Sequence, residues 1–460
     1  LLETSIASGG ILRAFWSVGQ LMNMDFKGKK AAVMGLGRFG GGVSVAKWLA
    51  RQGAIVTVTD VASEESLADS LAELDDFAIQ AAHFGTHREE DFRESQLIVV
   101  NPAVRPDNEF LKIARRAGAT MTSEIELFLR ASNAKMIGVT GSNGKSTTAA
   151  MTEAILRADG RQTWFGGNIG GSLLDCLDQI GPDDWVVLEL SSFQLHHLGS
   201  DAVVPQVAIV TNCTPNHLDW HANFDDYVAA KRRLITAQKE TNLTVLNTND
   251  SEVRQWTSFV RGRLLPLVSD GILPKLLVQG EHNRINATCA ATAALGVGCN
   301  VTAIGRGLAS FECLPQRLEL VKTIQDRSFY NDSTATTPES TIAALNSIEQ
   351  PIWLLAGGSD KGTNFGPLVK TIAASACGAA FYGDTAERLW HLAIEENSRF
   401  QCEITDSLSD AIDWCWKRSR LGDSIVLSPG CASHDQFKNF KHRGDVFVEL
   451  VGRLEDRVQR

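Results

Sequence analysis

Residues 138–148 read GVTGSNGKSTT, one lysine and several hydroxyls behind small, turn-forming residues. An apolar segment, 134–140, precedes them. A helical pattern follows, with Met151 and Ile155 as an i,i+4 apolar pair and Gly160 as a stop. A strict phosphate loop, GxxxxGK[ST], needs glycine where this chain has Val139, so the loop Gly141-Ser142-Asn143-Gly144-Lys145-Ser146-Thr147 is a shortened relative. Its chemistry survives the shortening. Successive backbone N–H groups make an anion nest, Lys145 reaches a β- or γ-phosphate, and Ser146 or Thr147 offers a hydroxyl to Mg²⁺. The expected ligand is ATP.

A second cradle lies a hundred residues earlier. Gly35, Gly37 and Gly40 in GLGRFG have GxGxxG spacing after an apolar run and before a helical one, and Asp60 follows at the end of the next β-branched run. The glycines serve a tight turn, close approach to a pyrophosphate, and helix packing, and Asp60 could meet a ribose hydroxyl. NAD is one reading; a UDP-sugar, with its own pyrophosphate and ribose, is another.

Around the ATP loop, Glu189 ends WVVLEL and His217 follows VAIVTN, both at the strand ends where open α/β sheets collect ligands. Each could serve a metal beside nucleotide phosphates. Lys231, Arg232 and Arg233 in DDYVAAKRRLI read, from the residues alone, as a solvated helix face. His196 and His197 are adjacent and point apart on a helix, so no metal site is expected there. Cys431, near Ser433 and His434, is at most a weak hint of thiol chemistry.

These residues need elements to hold them. From Lys29 onward short β-branched runs alternate with helical patterns, the signature of parallel sheets with crossover helices. Strands are expected at 31–34, 55–59 and 97–100; at 136–139, 185–190, 207–211 and 244–247; and at 351–356, 379–382 and 424–427. The fold class is three consecutive α/β domains: a Rossmann-like one over 1–123 with residues 1–24 as an extension, a central P-loop-type ATPase over 124–313 with a mostly parallel sheet, and a Rossmann-like one over 314–460.

The bulk properties agree with this. The chain has 460 residues, 44% hydrophobic and 21% charged, a globular composition too long for one core. A net charge of −10 argues against a general nucleic-acid binder. The nine cysteines form no CxxC pair, which fits a reducing cytoplasm. No run reaches membrane-spanning length, and the N-terminal stretch lacks the basic start of a signal peptide.

Taken together, the motifs resemble the Mur ligase superfamily of ATP-dependent amide-forming enzymes. NDSTATTPEST (331–341) and LSPGCASHDQFKNFKHRGDVF (427–447) are similar to its D-glutamate-adding branch, and the resemblance covers nearly the whole chain after about Met24. It implies that Gly35, Leu36, Gly37, Arg38, Phe39, Gly40 and Asp60 bind the UDP part of UDP-MurNAc-L-Ala. It implies that ATP and two Mg²⁺ ions bind the central domain and D-glutamate the last, in a monomer whose last domain closes over the central one. By motif match, Glu189 and His217 are magnesium ligands, and Asn168 in GGNIG lies near the reacting groups. Lys231 matches a lysine that the family carbamylates for a second Mg²⁺. His282, Asn283 and Asn286 match the segment beside adenine and the reaction centre, and Arg317 and Asp332 match groups around the phosphate and ribose. Thr336, Lys361, Ser433 and Phe440 match the D-glutamate pocket.

One position departs from the pattern. Where the resemblance leads one to expect lysine in NDSKAT, this chain has Thr334. A positive charge near the amino acid's carboxylates or the phosphate is thereby removed, so weaker D-glutamate binding or another amino-acid preference is an alternative expectation. An NAD-dependent oxidoreductase would leave the ATP loop without a role.

Overall fold

The computed structural model describes residues 25–458 except 38–39, 200–201, 219, 279, 349–350 and 360–362. The expected extension at 1–24 lies outside the described residues, as do Arg38, Phe39 and Lys361.

Three sheets follow one another along the chain. The first comprises β1 (Lys30–Met34), β2 (Ile55–Asp60), β3 (Ile79–Phe84), β4 (Leu97–Val100) and β5 (Thr120–Thr122), all parallel, in the order β3-β2-β1-β4-β5. The second comprises β6 (Lys135–Thr140), β7 (Thr163–Gly167), β8 (Trp185–Glu189), β9 (Val207–Val210), β10 (Leu243–Leu246) and β11 (Arg263–Leu264). It too is parallel throughout, ordered β11-β10-β9-β6-β8-β7. In the third, β12 (Glu319–Ile324) pairs antiparallel with β13 (Arg327–Asn331). The rest of that sheet, β14 (Ile352–Gly357), β15 (Ala376–Tyr382), β16 (Cys402–Ile404) and β17 (Ser424–Leu427), is parallel in the order β12-β13-β17-β14-β15-β16.

The central strands read as unbroken apolar runs because both faces are covered: β4, β8, β9, β14 and β17 are buried at every residue. All ten expected strands are present. The seven others, β3, β5, β7, β11, β12, β13 and β16, are short, polar or at sheet edges.

The chain divides into two compact units, 1–274 with 286–308, and 275–285 with 309–460. Within the first unit, one continuous core joins the first two sheets, running from Val33, Val56 and Leu97 through Phe128 to Leu188, Val210 and Trp256. The helix Glu124–Ala131 bridges them, and Ser123 starts it by accepting the N–H of Glu126. Among the described residues no helix is long and apolar enough to cross a membrane.

Candidate functional site

The first glycine loop is closed by its own acidic partner. Gly35 turns at φ 88°, and a Cβ there would stand 2.7 Å from Asn101 Cβ. Asp60 Oδ2 accepts the Gly37 N–H at 3.0 Å, and Oδ1 accepts that of Ala62 at 2.9 Å. Asp60 thus holds the loop in shape and keeps only its remaining lone pairs for a ligand hydroxyl. Leu36 is fully buried and offers main chain alone. Gly40, at φ 84°, begins the helix Gly41–Arg51, whose first N–H groups face the loop.

The second loop is held from beneath. Gly141 runs at φ 153°, where a Cβ would lie 1.9 Å from Thr211 Oγ1, and Gly144 caps the helix Lys145–Ala158 at φ 78°. A Cβ on Gly144 would meet Asn286 Oδ1 at 2.3 Å, so Asn286 packs directly on the cradle. Asn212 accepts the Asn143 N–H at 2.8 Å and donates to its carbonyl at 3.0 Å. The Ser142 hydroxyl lies 2.8 Å from Tyr227 OH and donates to the Thr214 carbonyl at 2.9 Å. Lys145 Nζ folds back to donate to the Ser142 carbonyl at 2.8 Å, and Thr147 is half-buried in the first turn.

At the mouth of this loop Ser146 Oγ donates to Glu189 Oε2 at 2.5 Å, and Asn168 Nδ2 donates to Oε1 at 2.9 Å. Ser146 and Glu189 are buried, whereas Asn168 is exposed. This hydroxyl–carboxylate pair is an all-oxygen donor set of the kind Mg²⁺ takes. Among the described residues no group of three His, Cys, Asp or Glu side chains gathers to hold an ion.

Lys231 corrects the reading of a solvated helix face. It is 1% exposed; its Nζ donates to the Gly141 carbonyl at 2.6 Å and lies 4.6 Å from the Tyr227 ring centroid. Burial, reinforced by the charge of Lys145, holds its ammonium well below the usual lysine range. Arg233 is equally committed, donating to the carbonyls of Leu195, His196 and Leu198. His217 occupies a left-handed backbone position, φ 55°, a cost of about 1 kcal/mol for a residue with a Cβ. Its ring packs 4.7 Å from that of Phe193.

His196 and His197 do part company: His196 faces Asp226 at 3.5 Å, and His197 Nε2 lies 3.1 Å from the Val104 carbonyl. Burial pushes His197 down to about 3.

In the second unit, two loops of the third sheet meet around a guanidinium. Arg443 is 0% exposed, donates from Nε to Ser333 Oγ at 3.0 Å and from its terminal nitrogens to the carbonyls of Ser333, Cys431 and Ala432. It ties the segment carrying Asp332 and Thr336 to the one carrying Ser433 and Phe440, whose carbonyl accepts the Ser333 hydroxyl at 2.8 Å. Asp332 accepts Ser428 Oγ at 2.7 Å and the Leu318 N–H at 3.1 Å. Burial still pushes its carboxyl up to about 7, against the pull of Arg317 and Arg443. Thr334 spends its hydroxyl on the Gln316 carbonyl at 2.8 Å. Cys431 is buried with Thr385 Oγ1 at 3.4 Å, which gives no access for thiol chemistry. His282 lies 3.2 Å from Ser347 Oγ and is lowered by burial, and Asn283 is half-buried one residue on.

Sequence reasoning missed Asn212, Tyr227 and Arg443. Asn212 lies five residues before His217 and Tyr227 four before Lys231 along the chain, but both reach the loop only through the fold. The only signal for Arg443 was an arginine beside glycine in KHRGDVF.

Three family models match the chain in succession: the Mur ligase MurD-like N-terminal domain over 29–123, the Mur ligase middle domain over 139–272, and the Mur ligase glutamate ligase domain over 316–431. The UDP-N-acetylmuramoylalanine–D-glutamate ligase of Roseiflexus sp. (strain RS-1) is 34% identical, over 93% of this chain and 99% of that one. That of Geotalea uraniireducens is also 34% identical, over 95% and 100%. Among solved structures, the UDP-N-acetylmuramate–alanine ligase MurC of Thermotoga maritima superposes with a TM-score of 0.60 at 18% identity, over 92% and 99% of the two chains. MurF of the same organism, in complex with ADP, gives 0.56 at 14% identity, over 81% and 97%. Those two likenesses carry the fold alone. Matched domain by domain and end to end at a third identity, the chain belongs to the Mur ligases and, within them, to the UDP-N-acetylmuramoylalanine–D-glutamate ligase family.

Proposed function

We propose that this protein uses ATP to join D-glutamate to UDP-N-acetylmuramoyl-L-alanine, a step in making peptidoglycan precursors. The observation that carries the reading is the cradle of Lys145 and Ser146 with the buried Glu189 carboxylate at its mouth, in a chain whose relatives of that name align throughout. Residues 1–123 take the UDP-substrate through the glycine loop and Asp60, 124–313 take ATP, and 314–460 take the amino acid.

A carboxylate and an amine do not condense unaided in water. In the proposed reaction the alanyl carboxylate attacks the γ-phosphorus of ATP in line, forming an acyl phosphate and releasing ADP. The amine of D-glutamate, its proton passed to a base for which His217 is the candidate, then attacks the acyl carbon, and inorganic phosphate leaves the tetrahedral intermediate. The loop N–H groups and Lys145 offset charge on the transferring group, Asn286 supports the loop, and His282 and Asn283 belong to the same helix as Asn286.

Ser146 and Glu189 would hold one Mg²⁺, with His217 in the turn that follows β9 and Asn168 orienting the Glu189 carboxylate. A metal held there would supply positive charge to offset that of the phosphate oxygens. Lys231 is the site of carbamylation: burial and the charge of Lys145 destabilise its ammonium and so favour the neutral amine that adds CO₂, and the product would be a buried carboxylate for a second ion. Arg317 and Asp332 contact the nucleotide, and Thr336, Lys361, Ser433 and Phe440 form the D-glutamate pocket. In this reading the protein acts as a monomer. Nine cysteines without a disulfide fit the cytoplasm.

The test is phosphate release by the purified protein with Mg²⁺, ATP and UDP-MurNAc-L-Ala, run in parallel with D-Glu, L-Glu, L-Lys or no amino acid, and with products weighed by mass spectrometry. Release that needs both the UDP-substrate and D-Glu and yields ligated product is expected. Turnover with another amino acid instead would move the specificity and implicate Thr334.

A further inference from the structure

Three segments that carry the proposed metal groups are cross-tied by one side chain assigned no role above. His221 Nε2 lies 3.0 Å from Ser192 Oγ, and Nδ1 lies 3.0 Å from Asp226 Oδ2. Its own N–H donates to the His217 carbonyl at 2.9 Å. Ser192 opens a short helix three residues after Glu189, His217 sits at the head of the turn that His221 closes, and Asp226 stands on the helix Phe224–Thr236 that bears Lys231. His221 therefore touches, through one ring and one amide, the chain segments of all three groups.

The ring end of the cluster is buried, while Asp226 is partly open to solvent and also lies 3.5 Å from His196 Nε2. The His221 side chain is 0% exposed, and Ser192 is 2% exposed. Phe193 lies parallel to the His221 ring at 5.8 Å and edge-on to His217 at 4.7 Å, so the two imidazoles share one packing partner. Trp220, within the same turn, packs 4.7 Å from His221 and donates from its indole to the Ala103 carbonyl at 3.0 Å. The Asp226 carboxylate accepts the His221 Nδ1–H, which leaves Nε2 to accept the Ser192 hydroxyl, so every polar atom of the ring is used in one tautomer. The same turn holds His217 in its left-handed backbone position, braced by the His221 main-chain N–H that any residue at 221 would keep; what the ring alone supplies is the tie between the Ser192 and Asp226 segments that flank this turn.

We propose that His221, fixed between Ser192 and Asp226, is a positioning residue that sets the spacing of Glu189, His217 and Lys231 and thereby the affinity of the site for a divalent cation with nucleotide. A ligand held by a partner that is itself held is how outer residues tune metal sites, and losing such a partner typically costs ten- to a hundredfold in affinity. The proposal rests on the metal reading above.

The test uses Mn²⁺ as probe, titrated by electron paramagnetic resonance into the full-length protein with ADP. The variants are His221→Phe, His221→Asn, Ser192→Ala, Asp226→Asn and, as control, Glu189→Gln, each with its thermal midpoint. The expected result is a roughly tenfold or greater weakening of Mn²⁺ binding in His221→Phe. His221→Asn, whose amide can replace the Nδ1 bond to Asp226, should recover part of the loss. If His221→Phe does not fold, Ser192→Ala and Asp226→Asn each remove one arm and should each weaken Mn²⁺ binding severalfold. Unchanged Mn²⁺ affinity in the folded variants, with only a lowered midpoint, would overturn the proposal by showing a structural role alone. If Glu189→Gln itself leaves Mn²⁺ binding intact, it is the metal reading that fails.

Discussion

The Lys231 ammonium donates a 2.6 Å hydrogen bond to the Gly141 carbonyl from beneath the phosphate loop. A buried lysine with Tyr227 at its side and Lys145 raising its electrostatic cost is poised to lose its proton, and a neutral amine can react with CO₂. Lys231→Met keeps the apolar stem and removes the nitrogen. We expect its turnover to fall at least a hundredfold, about 3 kcal/mol of transition-state stabilisation, with ADP still binding. In ¹³C-bicarbonate the wild type should show a carbamate resonance that the variant lacks. A wild type without that resonance would refute the modification.

Gly144 gives a sharper test of the loop. Its φ of 78° disfavours any side chain, and a Cβ would stand 2.3 Å from Asn286 Oδ1. Gly144→Ala therefore carries backbone strain of about 1 kcal/mol plus displacement of Asn286. ATP affinity should drop by tenfold or more in calorimetry, while the UDP-substrate, proposed to use the other glycine loop, should bind as before. Equal loss of both ligands would mean that the two cradles are not independent.

Both cradles were legible because a glycine loop between an apolar strand and a helix is a local pattern: Gly35, Gly40, Gly141 and Gly144 all take left-handed or otherwise glycine-favoring conformations. Glu189 was legible as the end of a run buried at every residue. Lys231 was not, because KRR on a helix looks solvated, and only the tertiary packing of that helix under Gly141 reveals otherwise. The β12–β13 hairpin was invisible for a different reason. Its turn places Gln325 and Asp326 at φ 44° and 58°, positions where Asn-Gly would have announced it. His221 and Arg443 bind groups 29 and 110 residues away, distances over which sequence spacing carries no signal.

Thr334 leaves the loop after β13 without the lysine that the D-glutamate-adding branch suggests. Its hydroxyl is committed to the Gln316 carbonyl. The neighbouring Ser333 instead holds Arg443, whose hydrogen bonds to Ser333, Cys431 and Ala432 all end on neutral oxygens. A buried guanidinium so placed still biases its surroundings toward anions. Thr334→Lys should lower the Michaelis constant for D-glutamate severalfold and leave that for ATP unchanged. An unaltered glutamate constant would mean that the charge at 334 is dispensable, with Arg443 or Lys361 sufficing.

Asp332 carries a burial cost that pH exposes. Unfolded, an aspartate ionises near 3.9; folded, burial keeps this one protonated until about 7. Between those values the unfolded chain has released a proton that the native chain retains, so native stability declines as pH rises from about 4 to about 7 and is level above. The full span is on the order of 3–4 kcal/mol. Asp332→Asn keeps the acceptor for Ser428 and cannot ionise. The difference in thermal midpoint, variant minus wild type, should therefore grow by several degrees between pH 5 and pH 7 and stay constant from pH 7.5 to 9 in calorimetry. If Asp332 serves the nucleotide as proposed, the same variant should also raise the Michaelis constant for ATP, because the carboxylate beside Arg317 is gone. A midpoint difference independent of pH would show that Asp332 ionises normally in the native protein, and that its retention needs no functional account.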